Sequence, residues 1–136
     1  MPEESQRQAD ARRRHELAAA AARAEALAAQ EQLDAFVARL SSLGVAPEPL
    51  QATLLSGARV KTDQLGWYLN KARTLAVAPD GRYYQLVTSG GPLARFTGVK
   101  LRPAAPTLVI GRGGRDGETG DLADFLDRAL LDYSAR

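Results

Sequence analysis

Apolar residues at Ala19, Ala22, Ala26, Ala29, Leu33, Phe36, Leu40 and Leu43 recur at alternating intervals of three and four along the chain. That spacing is the seam of an amphipathic helix. The seam is uneven: its large side chains all lie between Leu33 and Leu43, and its first half is alanine. Apolar burial is worth about 25 cal/mol per Å2, so the leucine end predicts firm docking on a domain. The alanine end predicts a segment that projects or pairs weakly with another helix. Between Ala18 and Ala29 nine of twelve residues are alanine, close to the maximum of helix propensity. Residues 17–43 are therefore predicted as one helix, ended by Ser41, Ser42 and Gly44, with Pro47 and Pro49 preventing a restart. Residues 1–16 are almost wholly polar, their basic Arg12, Arg13 and Arg14 offset by Glu3, Glu4, Asp10 and Glu16, and predict a frayed or disordered leader.

Beyond residue 57 the period falls to two, with candidate strands at 58–62, 66–70, 73–78, 82–88, 94–101 and 107–110. Pro79-Asp80-Gly81 lies between two apolar runs and predicts a hairpin, because its glycine accepts the positive φ such a turn demands. Gly90-Gly91-Pro92 marks the next reversal, and Pro103 with Pro106 another. Asp121 is a candidate N-cap with Asp124 three residues on. Leu122, Phe125, Leu126, Ala129, Leu130 and Tyr133 then repeat at helical spacing, which predicts a helix lying on the sheet. The fold class expected is α+β: a long N-terminal Ala-rich helix, a small antiparallel sheet of five to six strands curling towards a barrel, and a closing C-terminal helix. The compact domain is expected over residues 57–132.

Composition narrows the chemistry. The chain has 136 residues, no cysteine and one histidine. Thiol nucleophiles, Cys-ligated metals and disulfides are excluded, and His15 sits in the polar leader without companions. No cofactor, metal or catalytic set is expected, and the protein reads as a non-enzyme. Acids near the N-terminus, with no apolar run behind them, do not resemble an export signal, and the Ala18–Ala22 run is too short to span a bilayer. A cytoplasmic protein with no membrane partner is expected. The net charge of +2 conceals an uneven distribution: residues 57–110 carry eight cations against Asp63 and Asp80, whereas the segments on either side are net acidic.

Three surfaces remain as candidates. The helical seam offers Leu33, Phe36, Leu40 and Leu43 to a protein partner or to a second copy. The pairs Arg59 and Lys61, Lys71 and Arg73, and Lys100 and Arg102 are each spaced i to i+2 on a candidate strand. Each pair would share one sheet face beside Trp67 and Tyr83, the footprint of a surface for nucleic acid or another polyanion. The glycine-rich run from 111 to 121 leaves an apolar strand and enters a helix, where backbone N–H groups can hold an anion. Its candidate ligand residues are Arg112, Gly113, Gly114, Arg115, Asp116 and Glu118. It lacks the Gly-Lys-Ser/Thr of a nucleotide-binding loop, and its arginines and acids are equally suited to pairing with one another.

Gly66-Trp67-Tyr68-Leu69, the Asp80-Gly81 turn, the Gly113-Gly114-Arg115-Asp116-Gly117-Glu118 loop and the closing Leu-rich helix together resemble a group of small uncharacterised actinobacterial proteins. The resemblance covers residues 66–131 and implies one structural unit, with no activity attached. The function expected first is a non-enzymatic binding or accessory protein working through its N-terminal helix. A polyanion-binding sheet is the second expectation, and a small-ligand or anion site, or an enzyme, at the glycine-rich loop is the third.

Overall fold

The computed structural model describes residues 2–111 and 118–136. The first helix, α1, runs unbroken over Pro2–Ser42, a length of 41 residues or about 60 Å at 1.5 Å per residue. It thus includes the leader expected to fray. Good helix formers dominate there, Glu3 and Glu4 occupy the positive end of the dipole, and Gln6 Nε2 donates to Asp10 Oδ1 one turn on at 3.1 Å. The helix ends as its Gly44 suggests. Gly44 has φ 73°, its N–H reaches the Ser41 carbonyl at 3.1 Å, and the Val45 N–H reaches that of Leu40 at 3.0 Å, the paired bonds of a Schellman motif.

Five strands follow in one open, mixed sheet: β1 (Glu48–Leu54), β2 (Arg59–Tyr68), β3 (Leu75–Val77), β4 (Tyr83–Gln85) and β5 (Val87–Thr88), in the order β4-β3-β2-β1-β5. Every pairing is antiparallel except β1 with β5, which is parallel, and the sheet does not close into a barrel. The expected α+β fold, with its long first helix, five-stranded sheet and closing helix, is found, the sheet being mixed rather than antiparallel throughout and open rather than curled into a barrel. β1 precedes the first strand expected, at 58–62, and contains Pro49. That proline is tolerated because it is in phase with Thr53, whose N–H bonds Leu86 on the side away from β2, and β5 does not extend alongside Pro49.

The two strands expected at 58–62 and 66–70 are one strand with a bulge. Pro49 pairs with Leu65 and Gln51 with Lys61, leaving Thr62, Asp63 and Gln64 opposite Leu50 alone. Thr62 Oγ1 holds the bulge, donating to the Leu50 carbonyl at 2.9 Å and accepting from the Gln64 N–H at 3.2 Å. β2 bends there, so that its first half lies along β1 while Trp67 and Tyr68 pair with β3. The predicted 78–82 hairpin forms with Gly81 at φ 88°. The strand expected at 94–101 is instead a short helical turn, α2 (Ala94–Thr97), ended by Gly98, after which Val99 bridges Thr62. A two-stranded ribbon, β6 (Val109–Ile110) with β7 (Gly120–Asp121), leads into α3 (Leu122–Ser134). Asp121 occupies the N-cap position, but its side chain makes no capping hydrogen bond.

Period-two alternation buries both faces of the sheet. Trp67, Leu69, Leu75, Val77 and Tyr83 face α1 and α3 and pack with Leu33, Phe36, Leu40, Leu122, Phe125 and Leu126. Tyr68, Ala76, Ala78, Tyr84 and Leu86 point the other way, into a second cluster with Leu50, Ala52, Leu54, Val60 and Leu101. No helix among the described residues is long and apolar enough to cross a membrane.

Candidate functional site

The structure redistributes the candidate surfaces. Leu33 and Leu40 are fully buried and Phe36 is 5% exposed, so the seam expected to take a partner closes the protein's own core instead. Leu43 alone of that set is substantially exposed. Trp67 and Tyr83 are likewise buried, at 1% and 4% exposure, and offer no ring for a base to stack on. Of the three basic pairs only Arg59 and Lys61 lie on a strand. Lys71 and Arg73 belong to the turn after β2, and Lys100 and Arg102 to the irregular chain after α2. All six are exposed, yet they do not share one face of neighbouring strands. Arg112, Gly113, Gly114, Arg115 and Asp116 lie outside the described residues. His15 is exposed on α1.

Glu118 is described, and it holds two segments together. Its carboxylate accepts from Asn70 Nδ2 at 2.5 Å and from the Ala72 N–H at 3.3 Å. Asn70 organises the turn between β2 and β3, since its Oδ1 takes the Thr74 and Leu75 N–H groups at 3.0 and 3.3 Å. Within that turn Arg73 has φ 58°, the one non-glycine residue with positive φ among the described residues. For a residue without an Asn or Asp side chain this conformation costs about 1–2 kcal/mol, which the surrounding hydrogen bonds must offset.

Between this turn and α3 lies a cavity of about 410 Å3. Its lining residues include Tyr68, Phe125 and Tyr133, each of which carries a guanidinium on its ring, although the Tyr68 ring itself lies in the cluster on the sheet face away from α3. Arg73 stands over Tyr68 at 5.1 Å from the centroid, Arg128 over Phe125 at 4.7 Å and Arg136 over Tyr133 at 4.6 Å. Lys71 adds a fourth cation, against the carboxylates of Glu118 and Asp132. Arg136 approaches Glu48 Oε2 at 3.5 Å, whereas among the described residues Lys71, Arg73 and Arg128 have no carboxylate within 4.0 Å. Two of the three stacked pairs are i, i+3 neighbours on or just after α3, a spacing present in the sequence. The third depends on the turn at Arg73 and has no such signal.

Tyr133 also ties the cavity to the sheet. Its hydroxyl accepts from the Tyr68 N–H at 2.8 Å and donates to Glu48 Oε2 at 3.1 Å. Burial pushes its pKa up to about 12, with the Glu48 charge adding to the rise. Burial pushes Tyr83 up to about 12 as well. Both are neutral phenols near pH 7, not activated nucleophiles, and of the two only Tyr133 hydrogen-bonds among the described residues.

The outer side of α1 is the remaining surface. Its first tie to the domain is at Glu25, whose Oε2 accepts from the Leu108 N–H at 2.9 Å, followed by Gln30 Nε2 donating to the Gly81 carbonyl at 2.6 Å. Arg13, Leu17, Ala20, Ala24, Leu27 and Glu31 are all exposed and step by four and three, a second seam. Ala24 is nine residues, or roughly two and a half turns, from the buried Leu33, so this seam points away from the domain. Leu17 and Leu27 on it are 64% and 69% exposed. Comparison with known proteins gives no match to a family model, a curated protein or a solved structure.

Proposed function

We propose that this is a non-enzymatic, cytoplasmic binding or accessory protein whose working surface is the outer seam of α1, and that its partner is a second copy of the chain lying antiparallel. The observation that carries the reading is the self-complementarity of the seam. Antiparallel pairing about residue 22 sets Leu17 against the second copy's Leu27, Ala20 against Ala24, and Arg13 against Glu31, each match occurring twice by symmetry. Alanine at the centre lets two helix axes approach closely. Each domain sits on the far side of its own helix, so the two do not collide. Asp10 meeting the second copy's Asp34 ends the favourable register.

Four leucines burying about half their surface contribute roughly 0.8–1.5 kcal/mol each, set against the cost of association. The pairing is therefore weak and concentration-dependent. The chain has no cysteine, which makes the register directly measurable. Single variants Leu17→Cys and Leu27→Cys, mixed under oxidising conditions at high concentration, are expected to cross-link to each other in preference to themselves. Self-linked Leu17→Cys alone would indicate parallel pairing and refute the register. Monomer mass by light scattering at every concentration, with no cross-link, would refute self-association altogether.

A further inference from the structure

We infer that the cavity between the β2–β3 turn and α3 is a binding site for a small phosphate monoester with a flat, apolar substituent. This site is independent of the α1 seam. Arg128 and Arg136 stacked on Phe125 and Tyr133 along the α3 wall, with Lys71 and Arg73 entering from the β2–β3 turn, is the determining arrangement. Stacking fixes the plane of a guanidinium and uses its faces, while leaving its N–H edges free. Those edges are the part of arginine that matches two oxygens of a phosphate or carboxylate. A guanidinium held in this way loses less side-chain entropy on binding than one free in water.

Charge and shape point to the same class of ligand. Four cations line the cavity against Glu118 and Asp132, and one of them, Arg136, is paired with Glu48 at 3.5 Å. Of these acids Glu118 is engaged by Asn70 and the Ala72 N–H and has neither Arg73 nor Lys71 within 4.0 Å. Lys71, Arg73 and Arg128, which form no ion pair among the described residues, offer donors for the three oxygens of a phosphate rather than the two of a carboxylate. The walls behind the charges are Leu69, Phe125 and Ala129, against which a ring can lie. A volume of about 410 Å3 falls in the range of small-molecule sites. Arg73 adds a conformational argument. Its positive φ is maintained by the Asn70 turn, which sets its guanidinium over the Tyr68 ring and the residue itself in the cavity lining. Backbone strain of this kind is concentrated at functional sites.

Calorimetric titration of the full chain at low ionic strength tests the inference with three probes: phenyl phosphate, inorganic phosphate and benzoate. Phenyl phosphate is expected to bind most tightly, because it alone supplies both the dianion and the ring. Arg73→Ala and Arg128→Ala are each expected to weaken it roughly tenfold, as the loss of a charge-assisted bidentate contact does. Arg95→Ala, on α2 and remote from the cavity, is expected to leave affinity unchanged. Arg73→Gly removes the side chain while relieving the positive φ, so its loss of binding in a protein at least as stable as wild type separates recognition from folding. No heat and no 31P line broadening with any probe at millimolar concentration would overturn the site. So would binding that Arg73→Gly and Arg128→Ala leave untouched, and benzoate binding as tightly as phenyl phosphate would overturn the assignment to phosphate.

Discussion

Replacing Tyr133 by Phe removes one oxygen that serves two partners. The hydroxyl accepts from the Tyr68 N–H at 2.8 Å and donates to Glu48 Oε2 at 3.1 Å. Tyr68 is 7% exposed, so its amide would be left without a partner in an environment water barely reaches. An orphaned buried donor costs about 1–3 kcal/mol. Glu48 is less affected, since it is partly solvated and keeps Arg136 at 3.5 Å. The expected loss is thus about 2 kcal/mol. With an unfolding entropy of roughly 2.1 cal/mol/K per residue, a chain of 136 residues should lose about 7 °C in Tm. The sole tryptophan, Trp67, is adjacent to Tyr68 and 1% exposed, so its fluorescence in a urea titration reports the loss locally. Tyr83→Phe is the control: the Tyr83 hydroxyl makes no hydrogen bond among the described residues, and its removal is expected to cost under about 0.5 kcal/mol. Tyr133→Phe as mild as Tyr83→Phe would refute the role assigned to this hydroxyl.

Other consequences can be checked in the same way. A Cβ added at Gly66 would collide with the Val77 carbonyl oxygen and stand 3.1 Å from Leu50 Cδ1, so Gly66→Ala is expected to cost about 1–3 kcal/mol by urea titration. Leu33→Ala is expected to cost about 2–5 kcal/mol from a fully buried site. Leu27→Ala, at 69% exposure, should leave the monomer's stability almost unchanged while shifting sedimentation towards monomer. With folded-state values near 12 against an ordinary value of 10, Tyr83 and Tyr133 contribute stability that is fully present below pH 10 and lost as pH rises towards 12. Denaturation midpoints should therefore fall across that window, and fall less steeply in Tyr133→Phe.

The parts of the fold that local chemistry determines were legible in the sequence. The Schellman stop at Gly44, the Gly81 hairpin and the α3 stripe each depend on residues a few positions apart. What was not legible depends on partners far away in the chain. Pro49 argues against a strand until the absence of a neighbour on its N–H side is known, and 94–101 looks extended until Gly98 packs on Lys61 and only Val99 bridges Thr62. The candidate site shows the same division. The Arg128–Phe125 and Arg136–Tyr133 pairs are spaced for contact on a helix, but Arg73 joins them only because Asn70 and Glu118 fold its turn towards α3. Trp67 and Tyr83 suggested a stacking surface because period two does not reveal that the sheet is covered on both sides.

The distribution of leucine along α1 bears on what the helix does. On the inner face the large side chains begin at Leu33, once the helix has reached the domain, and the positions before Ala29 are alanines with nothing large to fill. Singly exposed leucines are ordinary on protein surfaces, so the position of those on α1 relative to one another is what bears on function. Leu17 and Leu27 both fall on the single seam that faces away from the domain. Arg13 and Glu31 flank them at equal distances from the midpoint, with opposite sign. In Arg13→Glu the two symmetric ion pairs become like-charge contacts, and self-association should weaken. Arg13→Glu combined with Glu31→Arg restores the complementarity with the sense reversed, and association should return. Failure of the double variant to recover what the single variant loses would show that Arg13 and Glu31 do not meet across the seam.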